Sequence, residues 1–241
     1  MKKVFNFSGG RTSAYMVLKY WKEGDLVIFC DTTREHPKTY KFLNDFEAFE
    51  NIPIIRLMYN GGWDGFLKHW NNGKSIPNRF KRQCTIELKV KTARRYLRSL
   101  GIMQYENFIG FRFDEPLRVS KHKEQWKKVV TKFPLFEDKI TKYIILDFFK
   151  KKPYDLEIPS ILGNCDLCFM KGKNAIISIL ASYPELADKW IADEEIETNI
   201  FRHTYFPNIT IRQLREYAQN NLFKDYDLTE IKPAFNCACT T

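Results

Sequence analysis

The chain has 241 residues, 44% hydrophobic and 15% aromatic, so it can bury a full core and is not intrinsically disordered. Its 39 Lys and Arg residues outnumber 29 Asp and Glu, and the net charge of +10 favours anionic partners, either a nucleotide or a nucleic acid, unless it only reflects a solvated Lys-rich surface. No apolar run could cross a bilayer and no signal core is visible, so we expect a cytoplasmic protein with no membrane partner.

The first predicted strand, Lys3–Phe7, leads into a turn suited to binding an anion. Glycines allow the backbone to turn sharply and to approach a ligand closely. The helix that follows, Ser13–Lys22, directs its first N–H groups and its positive dipole end toward the turn. An ordinary tight turn with a Ser cap is the alternative. The predicted phosphate-, pyrophosphate- or sulfate-binding residues are Ser8, Gly9, Gly10, Arg11, Thr12 and Ser13.

The spacing of this turn matches neither G-x-x-x-x-G-K-[ST] nor G-x-G-x-x-G. Ser-Gly-Gly-x-x-Ser after an N-terminal strand instead resembles the PP-loop of the adenine-nucleotide α-hydrolase superfamily. That resemblance implies that ATP or a related adenylyl nucleotide binds here.

Further strands and helices alternate along the chain. The order predicts an α/β fold, a doubly wound parallel sheet with helices on both faces, and ligands at the carboxyl ends of the strands. The predicted elements are Leu26–Cys30, Ile54–Met58 and Asn107–Gly110 as strands and Lys38–Glu50 and Glu87–Leu100 as helices.

The C-terminal part is predicted to be helical. Trp126–Phe149 carries no clear motif, and Tyr154–Ile161 is interpreted as a linker. We therefore divide the chain into a nucleotide-binding α/β domain, 1–152, and a helical Cys-bearing part packed on it, 153–241. The predicted C-terminal helices are Asn174–Ala181, Leu186–Thr198 and Thr210–Leu222.

The loop after the second strand makes the resemblance more specific. A strand ending in Asp31-Thr32, followed by Glu35-His36-Pro37 and Thr39-Tyr40, resembles the phosphoadenylyl-sulfate (PAPS) reductase family. The resemblance implies that Asp31 and Thr32 line the nucleotide site and that Glu35-His36-Pro37 shapes the turn. His36 either contacts the ligand or bonds to backbone, and Thr33 stands where the family usually has Gly.

Two further segments add positive charge at family positions. Residues 82–89 resemble an Arg-x-Cys-(Cys or Thr)-x-x-Leu-Lys signature, which implies anion contacts from Arg82 and Lys89. Residues 110–118 are similar to a Gly-x-Arg-x-x-Glu-x-x-Arg loop. There Gly110, Arg112 and Arg118 would face the anionic part of the ligand, with Lys89 and Arg112 also assigned to catalysis.

The sequence has six cysteines. Because the cytoplasm is reducing, we expect them to be metal ligands, redox groups or core residues and not disulfides. Cys165-x-x-Cys168 alone is ambiguous. By resemblance, Cys84 joins this pair, often around a [4Fe–4S] cluster, and Cys237 would be the fourth ligand. Zinc and the absence of any metal are the alternatives.

The chain's last residues leave the reaction open. Sulfonucleotide reductases usually end in Glu-Cys-Gly-(Ile or Leu)-His, whereas this sequence has Asn236-Cys237-Ala238-Cys239. We therefore expect a protein that binds ATP or an adenylyl nucleotide, with Mg²⁺, and activates or transfers sulfur, as in thiolation of DNA or tRNA. A sulfur-donor or thiol-reductant protein would be its partner.

Two other functions remain open. One is reduction of adenylyl sulfate or phosphoadenylyl sulfate, with Cys237 or Cys239 as the nucleophile. The other is a non-catalytic nucleotide-binding interaction subunit.

Overall fold

The computed structural model describes residues 1–122, 127–163, 165–196 and 204–220, and it contains one five-stranded sheet. The spatial order is β3-β2-β1-β4-β5, and each neighbouring pair is parallel. The predicted doubly wound parallel sheet is confirmed. Because the order reverses between β1 and β4, the ligand crevice of such a sheet falls between these two strands. The strands are β1 (Lys2–Asn6), β2 (Leu26–Asp31), β3 (Ile55–Met58), β4 (Tyr105–Phe108) and β5 (Val129–Lys132).

Ten α-helices lie in the described part of the chain, and the last three form the predicted helical C-terminal region. A π-helical segment, Thr85–Lys91, runs directly into α4. Short 3₁₀ turns occupy Trp70–Gly73, Ser160–Leu162, Phe169–Lys171 and Pro184–Ala187. The helices are α1 (Arg11–Tyr20), α2 (Pro37–Glu50), α3 (Gly62–His69), α4 (Thr92–Ser99), α5 (Pro116–Ser120), α6 (Pro134–Glu137), α7 (Lys142–Lys150), α8 (Lys173–Ser182), α9 (Asp188–Glu194) and α10 (Ile211–Asn220).

Both faces of the sheet are covered. Successive side chains of a strand point to opposite faces, and adjacent Val4 and Phe5 of β1 are both buried. Phe5 belongs to a large apolar cluster that extends into the C-terminal helices, for example to Ile176. Val4 belongs to a smaller cluster that includes Leu97 of α4. Helices therefore pack on both faces of the sheet. This packing holds the strands in place, so that their carboxyl ends lie together along one side of the sheet.

The structure differs from the sequence prediction at several boundaries. β5 lies within the segment that showed no motif, and the predicted helix Glu87–Leu100 is divided into a π-helical and an α-helical part. The fourth strand ends at Phe108 rather than at Gly110. The segment interpreted as a linker is packed, since Tyr154, Leu156 and Ile158 are buried in alternation.

Two predicted helix ends, at Thr198 and Leu222, lie outside the described residues. Within the described ranges, the helices are too short or too polar for any of them to span a membrane.

Candidate functional site

Two serines hold the turn between β1 and α1. The Ser13 Oγ accepts a hydrogen bond from the Ser8 backbone N–H at 3.0 Å, lies 3.1 Å from the Ser8 Oγ and donates to the Gly10 carbonyl at 2.9 Å. Gly9 has φ of +75°, and a Cβ there would lie 2.5 Å from the Thr39 Cγ2. The turn therefore requires glycine at this position, and it presents the first N–H groups of α1 at the carboxyl end of β1.

The Arg11 side chain is engaged elsewhere. Its Nε lies 2.5 Å and its Nη2 2.8 Å from the two carboxylate oxygens of Asp155, and its Nη2 also donates to the Leu156 carbonyl. This bidentate pair joins α1 to the segment after α7. The Arg11 side chain thus ties the turn to the segment after α7, whereas its place in the motif predicted contact with an anion.

Three arginines from two segments gather near the turn. The Arg112 Nη1 donates to the Thr12 Oγ1 at 3.3 Å, while its Nε donates to Asp114 at 3.0 Å. Arg118 lies over the Phe111 ring, with 4.1 Å from its guanidinium carbon to the ring centroid, and pairs with Glu115 at 2.6 Å. Gly110 also lies against the turn, since a Cβ there would be 3.5 Å from the Ser13 Cα.

Arg82, Arg112 and Arg118 are close enough for their charges to act on one another. Burial, and then the charges of Arg112 and Arg82, lower the pKa of Arg118, although Glu115 opposes the shift. The Arg82 Nη2 donates to the Thr85 Oγ1 at 3.3 Å, at the start of the π-helical segment. Concentrated positive charge of this kind is suited to a phosphate or sulfate ligand.

The loop after β2 is organised around Asp31. Its Oδ1 accepts from the Tyr40 hydroxyl at 2.7 Å and from the Thr33 N–H at 2.7 Å. Thr33 adopts φ of +60°, a conformation that suits the Gly usual in the family better than a β-branched residue. His36 caps α2 by accepting a hydrogen bond from the Lys38 N–H at 3.1 Å. Of the two roles considered for His36, the structure therefore shows the bond to the backbone.

A buried polar group adjoins this loop. The Thr32 Oγ1 donates to the Glu35 Oε1 at 3.1 Å and lies 3.4 Å from the Cys165 Sγ. The Lys89 Nζ is 3.7 Å from the same Glu35 oxygen. Burial raises the pKa of Glu35, which Lys89 opposes. Burial alone would lower the pKa of Lys89, but attraction to Glu35 raises it on balance, so the ammonium stays charged.

The three described cysteines of the proposed metal set line one narrow cavity. Cys84, Cys165 and Cys168 enclose about 10 Å³ together with Thr32 and Lys89. Burial raises the pKa of Cys84 to about 12 and that of Cys165 well above its ordinary value. Burial thus favours the protonated form of these thiols, and a metal would bind them only with release of those protons.

A metal does not fit this arrangement as it stands. In the described ranges, no three or more His, Cys, Asp or Glu side chains are placed to hold an ion. The volume is that of about one water molecule, far below that of a four-iron cluster, and the Lys89 ammonium shares it. The zinc or [4Fe–4S] hypothesis stays a prediction, which metal analysis of Cys84→Ser and Cys168→Ser would check.

The predicted residues thus fall into three groups. Cys237 and Cys239 lie outside the described residues. The Arg11 side chain points to Asp155. The others gather at the carboxyl edge of the sheet: Ser8, Gly9, Gly10, Thr12, Ser13, Asp31, Thr32, Arg82, Lys89, Gly110, Arg112 and Arg118, with Cys84, Cys165 and Cys168 beside them.

Sequence reasoning missed the parts played by Glu35 and Lys171. Glu35 was assigned only to the shape of the turn, yet its carboxylate is fully enclosed beside Lys89. The Lys171 Nζ donates to the carbonyls of Cys165 and Asp166, each at 2.6 Å, and so closes the Cys loop. A Lys three residues after Cys-x-x-Cys was a usable signal for Lys171, whereas nothing in the sequence distinguishes a buried Glu35 from an exposed one.

Two curated proteins are similar in sequence to this chain. A nin region protein of Escherichia phage lambda, itself uncharacterized, is 32% identical over 209 residues, which cover 73% of this chain and 68% of that protein. An uncharacterized protein of Methanocaldococcus jannaschii is 25% identical over 194 residues, 76% of this chain and 39% of that protein. This chain therefore spans about two fifths of the archaeal relative.

A solved structure gives a weaker likeness. The phosphoadenylyl-sulfate reductase of Candida auris, in its phosphate complex, superposes with a TM-score of 0.45 at 18% identity, over 64% of this chain and 76% of that one.

The family match itself covers residues 2–151, over which the sequence fits the phosphoadenosine phosphosulfate reductase domain. Since that match begins at β1 and ends just after α7, it takes in the entire parallel sheet, and the chain belongs to the phosphoadenosine phosphosulfate reductase domain family.

Proposed function

We propose that the protein binds ATP or an adenylyl nucleotide at the Ser8–Ser13 turn and uses it to activate or transfer sulfur. The observation that carries the proposal is the Arg82, Arg112 and Arg118 guanidinium cluster beside the turn. Such a cluster, next to helix N–H groups, compensates several negative charges at once. Membership of the family supports a nucleotide as the source of those charges.

Different residues would contact the phosphates and the nucleoside. The N–H groups of the turn, with Arg112 beside Thr12, would hold a leaving pyrophosphate. An acceptor oxygen would attack the α-phosphorus, and the bond to the bridging oxygen would break. Mg²⁺ would enter with the nucleotide's phosphates and offset their charge. Asp31 and Thr32, at the end of the neighbouring strand, would border the nucleoside.

The sulfur chemistry is assigned to the side of the site where Lys89 and Cys165 lie. Lys89 is a charged ammonium, held by Glu35 within reach of the thiol cavity. It would stabilise a sulfur- or oxygen-centred anion formed there. A sulfur-donor protein would supply a sulfur nucleophile, whose attack on the adenylated acceptor would release AMP, and a nucleic acid such as DNA or tRNA is the proposed acceptor. A thiol-reductant protein would be the partner if the reaction is reduction of a sulfonucleotide.

Nucleotide binding is tested with one glycine and a matched control. In Gly9→Val, the new side chain must displace Thr39 and adopt a left-handed backbone conformation. Gly24 also has a left-handed φ, of +90°, but nothing lies within 4 Å of a Cβ placed there. Gly24→Val therefore introduces the backbone strain without a steric clash. We expect ATP affinity, measured by calorimetry, to fall by about tenfold or more in Gly9→Val and to stay unchanged in Gly24→Val.

Equal affinity in both variants would show that the nucleotide, if it binds, lies elsewhere. Binding without any turnover of ATP, adenylyl sulfate or phosphoadenylyl sulfate would favour the non-catalytic subunit.

Reduction of a sulfonucleotide is the second candidate, and the family match favours it specifically. In that reaction a thiolate attacks the sulfate sulfur, forms an S-sulfonated cysteine and releases the nucleotide; an external thiol then frees sulfite. Cys237 and Cys239 are the proposed nucleophiles. We expect a chain truncated before Asn236 to keep nucleotide binding and to lose sulfite release if this reaction is the correct one. Unchanged sulfite release, or none from the full-length protein, would exclude this role for the two cysteines.

A further inference from the structure

A second concave surface lies at the opposite edge of the sheet. Tyr105 and Val129 are the first residues of the parallel strands β4 and β5 and pair directly with each other. They form the floor of a groove of about 250 Å³. The candidate nucleotide site follows the carboxyl ends of the strands, so the length of a strand, about 15 Å, separates the two surfaces.

Four cations from two separate elements line this groove. Arg94 and Arg98 lie one turn apart on α4, about 6 Å along its axis, and therefore share a face. Lys127 and Lys128 precede β5, and both are exposed. Among the described residues that line the groove, none is acidic. The cationic side chains are thus concentrated in one concavity.

The groove also has an apolar wall. Ile102 and Met103, in the connection from α4 to β4, contribute to it, and Met103 is 51% exposed. A free inorganic phosphate would use the cations but leave this wall in water. A nucleic acid strand would contact both the cations and the apolar wall. Its sugar-linked phosphates repeat a negative charge along the strand, and its bases have apolar faces.

We propose that this groove between α4 and β5 binds the phosphodiester backbone of a single-stranded nucleic acid segment. The two arginines on one helix face and the two lysines opposite would contact successive phosphates. This surface goes beyond the proposed nucleotide site and does not depend on it.

The proposal is tested by anisotropy of a fluorescent single-stranded DNA of about 12 nucleotides, within the usual site sizes of single-strand binders. Arg94→Gln/Arg98→Gln and, independently, Lys127→Gln/Lys128→Gln each remove two charges from the groove. Lys68→Gln/Lys150→Gln removes two exposed charges elsewhere and is the matched control. We expect both groove variants to bind more weakly than wild type and the control to bind as wild type does.

Salt dependence gives a second readout. Each lost phosphate contact should reduce the slope of log K against log salt by about 0.7, so each double variant should lose about 1.4. An RNA strand of the same sequence is measured in parallel, and binding of either strand with these slopes supports the proposal. Gly9→Val should bind the oligonucleotide normally, which separates this surface from the nucleotide site.

Three results would overturn the proposal. The first is wild-type affinity in both groove variants. The second is competition by poly-glutamate as effective as that of unlabelled oligonucleotide, which would identify an acidic protein segment as an equally good ligand. The third is complete displacement by millimolar inorganic phosphate at constant ionic strength, which would identify a site for a single phosphate group.

Discussion

Glu35 and Lys89 form an ion pair whose members come from different elements and lie largely out of water. Their side chains are 0% and 12% exposed, and the nitrogen-to-oxygen distance is 3.7 Å. Within the described part of the chain, the second carboxylate oxygen of Glu35 has no hydrogen-bond partner. A buried pair of this kind adds little net stability, but loss of one partner leaves the other charge uncompensated.

We therefore predict strong coupling between these two residues. Lys89→Met should reduce the free energy of unfolding by about 3 kcal/mol, and Glu35→Gln by a similar amount, because each leaves one buried charge. The double variant should lose less than the sum. Chemical denaturation of all four proteins measures the coupling, and additive losses would show that the pair does not interact.

The same residues show what the sequence could predict. Short motifs after strands identified the turn, Thr32 and Arg112, because parallel strands bring such segments to one edge. The direction of a side chain depends on neighbours far along the chain. Arg11 turns to Asp155, 144 residues away, and Glu35 meets Lys89 only after folding. No local pattern encodes those pairings.

At the level of elements, the first four strands were predicted, whereas β5 and α7, in the segment without a clear motif, were missed. β2 is an apolar run that a buried parallel strand requires. β5 has four residues, two of them polar, and acquires its strand conformation by pairing with β4. The π-helical Thr85–Lys91 runs directly into α4, and the sequence prediction combined most of it with α4 as one helix.

The start of α10 depends on a buried carboxylate from α9. Glu194 accepts from the Tyr205 N–H at 2.9 Å and from the Ile211 N–H at 2.6 Å, and Ile211 is the first residue of α10. Burial raises the pKa of Glu194 from 4.5 to about 7, and the two N–H donors only partly oppose this shift.

Stability should consequently fall as the pH rises. Between about 4.5 and about 7 the folded protein retains a proton on Glu194 that the unfolded chain has released, so higher pH favours unfolding. Glu194→Gln cannot titrate. We expect the difference in unfolding free energy between wild type and this variant to change by about 1–3 kcal/mol from pH 5 to pH 8, to the disadvantage of wild type. Urea denaturation over that range measures it, and a constant difference would contradict the assignment.

Across the whole molecule, the buried Arg34 connects the loop after β2 to the C-terminal helices. The Arg34 Nη2 donates to Asp193 of α9 at 2.8 Å, and its guanidinium carbon lies 5.5 Å from the ring centroid of Trp63 and 5.7 Å from that of Trp190. Asp193 also accepts from the Trp63 Nε1 at 3.0 Å and from the Tyr205 hydroxyl at 2.7 Å. The loop after β2 is thus fixed by residues more than 150 positions away.

Arg34 has a second carboxylate partner, which provides an internal control. The Asp64 side chain is 86% exposed and lies 3.1 Å from the Arg34 Nη2, whereas that of Asp193 is 6% exposed. An exposed partner is screened by water and contributes little. Loss of the buried partner leaves the Arg34 charge and two further donors, on Trp63 and Tyr205, without their acceptor.

We therefore predict unequal effects from two formally identical substitutions. Asp193→Ala should reduce the free energy of unfolding by about 3–5 kcal/mol, and Asp64→Ala by less than about 1 kcal/mol. Because Arg34 adjoins Thr32 and Glu35, Asp193→Ala should also speed hydrogen exchange in the loop after β2, far from the substitution in sequence. Denaturation and exchange by mass spectrometry check both effects. Equal losses in the two variants, or unchanged exchange in the loop after β2, would show that the C-terminal helices do not hold this loop in place.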